Sequence, residues 1–282
     1  MRADNPFAQE ALRLYGKGAK IDLSSRGDAP AGCGLGTSAA FCVALLAGLN
    51  PLWSRLQLAE SASALERTGL NRPVGSQDHY LSALAGFRLL RFPPGGAVET
   101  EQVDVRAGIV EQLNEELLLF YTGVTRDAAH VLRHQDSKVL SGNHAIERRL
   151  HAIKELTVAA LDILAGRSLV PLGEILGRHW ELKKGLSSGI SLPEVDVAYR
   201  DALSAGCTGG KLLGAGGGGF LLLHVPARTR SDVRLVMERH GFQEKAFSFS
   251  HEGPRVTWLG RGSPVHGSRP GAHLSDCDGA HD

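Results

Sequence analysis

The sequence has almost no net charge and few cysteines. Its 31 Lys and Arg against 30 Asp and Glu leave +1, so no overall field attracts the chain to nucleic acid or to an anionic membrane. The 4 cysteines show no short paired spacing, which argues against a zinc knuckle and a disulfide framework. We therefore expect a reducing, cytoplasmic location, a small-molecule partner, and neither nucleic acid nor membrane as a partner.

Long apolar runs are also missing. No apolar stretch reaches the length of a membrane span, and residues 1–16 are amphipathic without the apolar centre of a signal peptide. We expect a protein that is neither exported nor embedded in a membrane. The chain does have 282 residues, 43% of them hydrophobic, which is enough to bury a core in one large domain or two smaller ones.

Helix and strand patterns alternate along the chain without an internal repeat. They predict helices at 5–16, 37 onward, 56–69, 127–166, 171–185, 194–206 and 230–241, and strands at 19–25, 86–93, 115–123 and 219–226, with a closing strand pair at 245–259. A domain boundary is expected within 94–106. From Arg261 the sequence has little to bury, so we expect a disordered tail.

The stretch PAGCGLGTSAA, residues 30–40, places three glycines and two hydroxyls before the apolar run FCVALLAGL. Its match to G-x-G-x-x-A is weak evidence for a dinucleotide site, because Glu60, the acidic residue further on, lies in a helical pattern. A common P-loop motif is absent. Free amides at a helix N-terminus bind phosphate, but a tight turn with Thr37 as N-cap explains the same residues. The residues alone leave both interpretations open.

A second glycine cluster lies at residues 209–225, GGKLLGAGGGGFLLLHV. It matches G-x-G-x-x-G at Gly214, Gly216 and Gly219, but a strand follows where a dinucleotide motif requires a helix. Ordering the four consecutive glycines Gly216–Gly219 costs much conformational entropy. The run therefore indicates a close approach of backbone to a ligand or to the first glycine loop.

The two stretches together resemble a known family. PAGCGLGTSAA is similar to the second motif of the GHMP small-molecule kinases, and KLLGAGGGGF is similar to their third. ERTGLNRPVGSQDHYLSALAGF, LLLFYTGVTR and HWELKKGLSSGIS resemble the sugar-kinase branch that includes heptose 7-phosphate kinases. The similarity runs from about residue 5 to residue 259.

The resemblance implies an α+β, two-domain GHMP kinase fold. Residues 1–98 would form a truncated, ATP-binding N-terminal domain whose fold is like that of domain 2 of ribosomal protein S5. Residues 106–260 would form a ferredoxin-like C-terminal domain, and residues 261–282 the disordered tail. The family normally begins with a further segment that contains its first motif, and the sequence shows no counterpart. Either Met1 is not the true start or catalysis is impaired.

The resemblance also implies cofactors and site residues. ATP and Mg²⁺ would be bound, with Ser38 and Glu66 as the metal ligands and Asp78 as the general base. Without the resemblance, Glu66 could be an exposed residue paired with Arg67 or Arg72, and Asp78 a helix N-cap. The residues expected to contact ATP are Gly32, Gly34, Leu35, Gly36, Thr37, Ser38, Gly214, Gly216, Gly217 and Gly218.

Substrate selection is less visible in the sequence. A sugar phosphate needs donors and positive charge, and the candidates are Arg126, Lys183, Lys184, Ser187 and Ser188, with Thr125 and His179 beside them. A solvated basic helix end is the alternative. His130 and His134 have no third ligand at a suitable spacing, so we expect surface histidines.

The expected function is ATP-dependent phosphorylation of a sugar or sugar phosphate. The substrate implied by the resemblance is D-glycero-D-manno-heptose 7-phosphate, phosphorylated at the anomeric O1 to the 1,7-bisphosphate. The alternatives are a fucose-type sugar kinase and a catalytically impaired remnant that binds nucleotide or sugar phosphate.

Overall fold

The computed structural model describes residues 5–16, 18, 21–30, 32–124, 142–168 and 170–258. Its N-terminal half is mainly helical and ends in an antiparallel hairpin. The elements are α1 (Pro6–Tyr15), α2 (Thr37–Leu49), α3 (Arg55–Ala64), a π-helical turn (Leu65–Gly69), α4 (Gln77–Leu84), β1 (Arg88–Arg91) and β2 (Glu99–Gln102).

Helix α2 lies at the centre of this half. Its sequence is apolar on every face, which is typical of a helix that is buried all round, and Cys42, Val43 and Leu46 are almost completely buried. Helices α1, α3 and α4 all contact it. The N-terminus of α2 is thereby held in a fixed position by the core behind it.

The C-terminal half contains a four-stranded antiparallel sheet, whose strands lie side by side in the order β4 (Gly209–Leu212), β5 (Phe220–His224), β3 (Leu117–Tyr121) and β6 (Gln243–Glu244). Taken with the helices between them, this order confirms the ferredoxin-like arrangement. The helix formed by Leu172–Lys184 (α7) packs along β4. The elements are α5 (Ile109–Glu116), β3 (Leu117–Tyr121), α6 (His144–Leu164), α7 (Leu172–Lys184), α8 (Pro193–Ser204), β4 (Gly209–Leu212), β5 (Phe220–His224), a 3-10 turn (Ala227–Thr229), α9 (Arg230–Arg239) and β6 (Gln243–Glu244).

Two strand predictions are wrong. Of the strand predicted at 19–25, residues 19 and 20 lie outside the described ranges, and residues 21–25 are exposed without regular structure, since no described strand pairs with them. Residues 245–258 do not form a strand pair: after the Lys245 amide donates to the Leu119 carbonyl, the segment leaves the sheet. The Phe249 ring then packs 5.1 Å from that of Phe87, so side-chain packing rather than strand pairing accounts for the alternating pattern.

Other expectations fall partly outside the described residues. The helix predicted at 127–166 is seen as α6, while its first part and the tail from 261 lie outside the described ranges. Among the described residues no helix is long and apolar enough to cross a membrane. Cys33, Cys42 and Cys207 are buried and unbridged. The domain limits at 98 and 106 stay predictions.

Candidate active site

The first glycine loop presents free backbone amides at the N-terminus of α2. Gly32, Gly34 and Gly36 have φ of 74°, 81° and 66°, a region that favours glycine. Gly36 is the N-cap and provides no side chain, so Thr37 is the first helical residue rather than the cap. In the part of the chain that the structure describes, the amides of residues 34–38 have no hydrogen-bond partner. Such an unsatisfied helix N-terminus is suited to a phosphate.

The second glycine loop packs directly against the first. A Cβ built on Gly214 would lie 2.5 Å from the Cα of Gly34, and one on Gly219 would overlap the carbonyl oxygen of Cys33. Both positions also have positive φ. Glycine is therefore required here for contact between two backbones, which supports the loop-to-loop explanation of the glycine run.

The rest of the glycine run is anchored to neighbouring segments. The Gly217 amide donates to the Ile190 carbonyl at 2.8 Å, and the Gly219 amide donates to the Val124 carbonyl at 2.7 Å. Cβ atoms on Gly216 and Gly218 would lie 2.7 Å and 2.5 Å from the same two carbonyl oxygens. The amide of Gly217 is thus already engaged, while contacts of Gly214, Gly216, Gly217 and Gly218 with ATP stay a prediction.

We expect Gly214→Ala to destabilise the protein by roughly 2–5 kcal/mol, because it adds left-handed strain and a clash with the Gly34 backbone. Gly95→Ala is the matched control, since Gly95 has φ of 67° but open space around it, and should cost only about 1–2 kcal/mol. Chemical denaturation measures both. Equal losses would show that the close approach of the loops contributes nothing.

The Asp78 carboxyl group lies against the first glycine loop. It is in the first turn of α4, after the N-cap Ser76, so it is not the cap that the alternative interpretation required. A Cβ on Gly36 would lie 3.1 Å from Asp78 Cγ. The pKa of Asp78 is raised overall, mainly because the side chain is buried. Nearby Glu66 raises this pKa further, and nearby His79 lowers it only in part. A half-buried carboxylate with a raised pKa beside an anion-binding loop suits a general base.

Glu66 is buried, with 1% of its surface exposed, so the exposed position considered above is wrong, whereas the pairing with Arg72 is present. It lies in the π-helical turn, a distortion that frequently occurs at functional sites. His79 Nε2 lies 3.0 Å from Glu66 Oε2. Arg72 Nε lies 3.8 Å from Oε1, which has no hydrogen-bond partner among the described residues.

Cys42 completes this buried cluster. Its sulfur and the ligand-type atoms of Glu66 and His79 lie within 4.8 Å of one another. Ser38 is one turn before Cys42 on the same face of α2, so the Ser38 hydroxyl and Glu66 lie along one side of that helix. Burial, and then the Glu66 charge, raise the pKa of Cys42 to about 12, which keeps its thiol neutral. Sequence reasoning missed Cys42 and His79, since only the fold brings them to Glu66.

A basic cluster lies beside the second glycine loop. Lys183 Nζ donates to the Gly214 carbonyl, and Lys211 Nζ lies 3.4 Å from His179 Nε2. Burial, and then the charge of Lys211, lower the pKa of Lys183 to about 7. Burial lowers the pKa of Lys211 to about 8 and, with the two lysines, that of His179 to about 3. Lys211, which sequence reasoning missed, stands inside the quoted GGKLLG stretch.

The other candidate substrate residues are not all brought to this cluster. Lys184 lies 2.7 Å from Glu181 Oε1 and 3.8 Å from Asp196 Oδ1, so it is engaged away from Lys183. Ser187 is buried and Ser188 is exposed. Arg126, with Thr125, His130 and His134, lies outside the described residues.

The pKa of Lys183 gives a prediction for stability against pH. The pKa of Lys183 is about 7 in the folded protein and 10.5 ordinarily, so between those pH values the unfolded chain binds more protons than the folded chain. The contribution of Lys183 to the free energy of unfolding therefore becomes more favourable as pH rises. Lys183→Met should therefore raise stability relative to wild type more at pH 6 than at pH 10. Urea unfolding at both pH values measures this. Lys154→Met, at an exposed lysine on α6, is the control for removing a lysine. A difference between Lys183→Met and wild type that does not change with pH would contradict the shift.

Comparison with known proteins identifies the family to which these features belong. The model for the N terminal domain of GHMP kinases matches residues 6–86, and the model for the C terminal part of GHMP kinases matches residues 152–241. The chain belongs to the GHMP kinase family. The first match contains the glycine loop, Glu66 and Asp78, and the second contains Lys183 and Gly214.

Individual GHMP kinases show where the chain is similar. It is 29% identical over 238 residues to D-glycero-alpha-D-manno-heptose 7-phosphate kinase of Campylobacter jejuni, covering 83% of this chain and 69% of that protein. It is 31% identical over 244 residues to L-fucokinase/L-fucose-1-P guanylyltransferase of Bacteroides fragilis, covering 80% of this chain but 24% of that protein. A solved D-glycero-D-manno-heptose 1-phosphate kinase of Bacteroides thetaiotaomicron has a TM-score of 0.60 at 23% identity, covering 90% and 75% of the two chains, and confirms the fold.

Proposed function

We propose that this chain is an ATP-dependent sugar kinase that phosphorylates D-glycero-D-manno-heptose 7-phosphate at its anomeric O1. The observation that carries the proposal is the position of the Asp78 carboxyl against Gly36, beside the free amides of residues 34–38. A phosphate-binding loop and a group that can accept a proton are thus adjacent, which phosphoryl transfer requires. The Campylobacter relative supports the choice of sugar.

The residues perform complementary parts of the reaction. The amides of residues 34–38 and the positive end of the α2 dipole hold the phosphates of ATP. Asp78 takes the proton from the sugar hydroxyl as that oxygen attacks the γ-phosphorus, and the bond from that phosphorus to the ADP oxygen breaks. The raised pKa of Asp78 makes it a better proton acceptor than an ordinary exposed aspartate.

The donor set also fits Mg²⁺. The Ser38 hydroxyl has no partner among the described residues, and Glu66 Oε1 is a buried oxygen without a hydrogen bond there. Hard oxygen ligands suit this ion, which when bound would neutralise charge on the phosphates. His79 holds the other oxygen, Oε2, and so orients the carboxylate, as partners of metal ligands commonly do.

A fucose-type kinase is the second candidate, supported by the similarity to the Bacteroides fragilis protein. A sugar panel measured by ADP formation separates the two. The highest kcat/KM with heptose 7-phosphate is the expected result, whereas preference for unphosphorylated fucose would favour the second candidate. Binding of Mg·ATP without turnover on any sugar would contradict both and indicate a protein that only binds its ligands.

A further inference from the structure

The basic cluster of His179, Lys183 and Lys211 is built from two elements that pack together. His179 and Lys183 are four residues apart on α7 and share one face of that helix. Lys211 lies on β4, along which α7 packs, and its Nζ is 3.4 Å from His179 Nε2. All three side chains are half-buried. The fold therefore brings three nitrogen-bearing groups to one place.

The described residues provide no acidic partner for this cluster. Within the described ranges no carboxylate forms an ion pair with Lys183 or Lys211, and the charge of Lys211 helps to lower the pKa of Lys183. Removing ammonium groups from water without a counter-charge is unfavourable, and the lowered pKa values of the lysines express that cost. His179 Nδ1 is also buried and has no hydrogen-bond partner among the described residues. An anion bound between these groups would satisfy all of them.

The position of the cluster limits which anion it receives. Lys183 donates to the carbonyl of Gly214, and Gly214 contacts Gly34, so the cluster borders the first glycine loop. That loop already provides free amides for the phosphates of a nucleotide. The lysines stand on different elements, α7 and β4, and so supply a second, separate set of donors.

We propose that Lys183, Lys211 and His179 form a binding site for the phosphate group of a phosphorylated sugar. This inference rests on the proposed function. A phosphomonoester dianion presents three oxygens that accept charge-assisted hydrogen bonds, and the two lysines supply compact positive charges for it. The site would select phosphorylated sugars over unphosphorylated ones.

Calorimetric binding in the absence of nucleotide tests the site directly. Wild type should bind heptose 7-phosphate at least tenfold more tightly than unphosphorylated heptose, since each charged hydrogen bond is worth about tenfold or more. Lys211→Met should remove this preference, and Lys211→Arg, which retains the charge, should keep part of it. Lys154→Met, an exposed lysine on α6, is the matched control and should keep all of it.

A second measurement uses wild-type protein and needs no variant to fold. Amines with lowered pKa values react with acylating reagents near neutral pH, and inorganic phosphate should slow acylation of Lys183 and Lys211 but not of Lys154. Mass spectrometry reports each residue. Equal protection of all three lysines would contradict the site, as would no preference of wild type for heptose 7-phosphate over heptose.

A third measurement tests whether the cluster binds the phosphate of the sugar or a phosphate of ATP. Mg·ATP affinity should be the same in wild type and Lys211→Met. If Lys211→Met instead weakens Mg·ATP binding tenfold and leaves sugar phosphate binding unchanged, the cluster serves the nucleotide and the proposal is wrong. Phosphate-dependent sugar binding without ADP formation would overturn the proposed kinase activity and leave this site standing.

Discussion

The Asp78→Asn variant is expected to lose phosphoryl transfer by roughly 100- to 10,000-fold, the usual worth of a general base. The amide has the same shape as the carboxyl and fits against Gly36, but it cannot accept the proton of the sugar hydroxyl. Mg·ATP binding should stay nearly unchanged, because the phosphates are held by the amides of residues 34–38. ADP formation and nucleotide titration measure the two effects separately.

Asp232→Asn is the matched control for this experiment. Asp232 is also an aspartate in the first turn of a helix, α9, but it is exposed and lies outside the active site. The same chemical change there should leave turnover as in wild type. If Asp78→Asn retains wild-type turnover as well, Asp78 is not the base, and positioning by the glycine loop would have to account for the reaction.

The features that the sequence predicted correctly are those set by local residue types. The start of α2 follows from glycines that permit positive φ before an apolar helix, and the glycine run before β5 follows from its close contact with the first loop. The interpretation of Asp78 as a helix N-cap is wrong by two residues, because Ser76 is the N-cap of α4. The family motifs then supplied the chemistry that local pattern alone left open.

The features that the sequence did not predict depend on contacts between distant segments. His79 meets Glu66 across 13 residues, and Lys211 meets His179 across 32, and nothing in either local pattern specifies these pairs. The prediction of a strand pair within residues 245–258 was wrong for a related reason. Its alternation is equally compatible with a strand and with an extended chain whose aromatic side chains pack on Phe87, and only tertiary structure separates the two.

The Glu66→Gln variant is expected to weaken Mg²⁺-dependent ATP binding by at least about tenfold, since even residues that only orient a metal ligand cost this much. The amide oxygen can still accept from His79 Nε2, so the buried contact at 3.0 Å and the fold should be kept. What is lost is the negative charge of the carboxylate, which suits a Mg²⁺ ligand. Turnover should fall together with affinity, unlike in Asp78→Asn.

Calorimetric titration of ATP at several Mg²⁺ concentrations makes the distinction. Glu60→Gln is the control, because Glu60 is exposed on α3, the helix that leads into the π-helical turn, and should leave affinity unchanged. With Glu66→Gln, excess Mg²⁺ should recover part of the affinity, because a weakened metal site is filled by mass action. A variant that binds ATP as wild type does at every Mg²⁺ concentration would assign Glu66 a purely structural pairing with His79, and Ser38 with the loop amides would then bind the nucleotide without it.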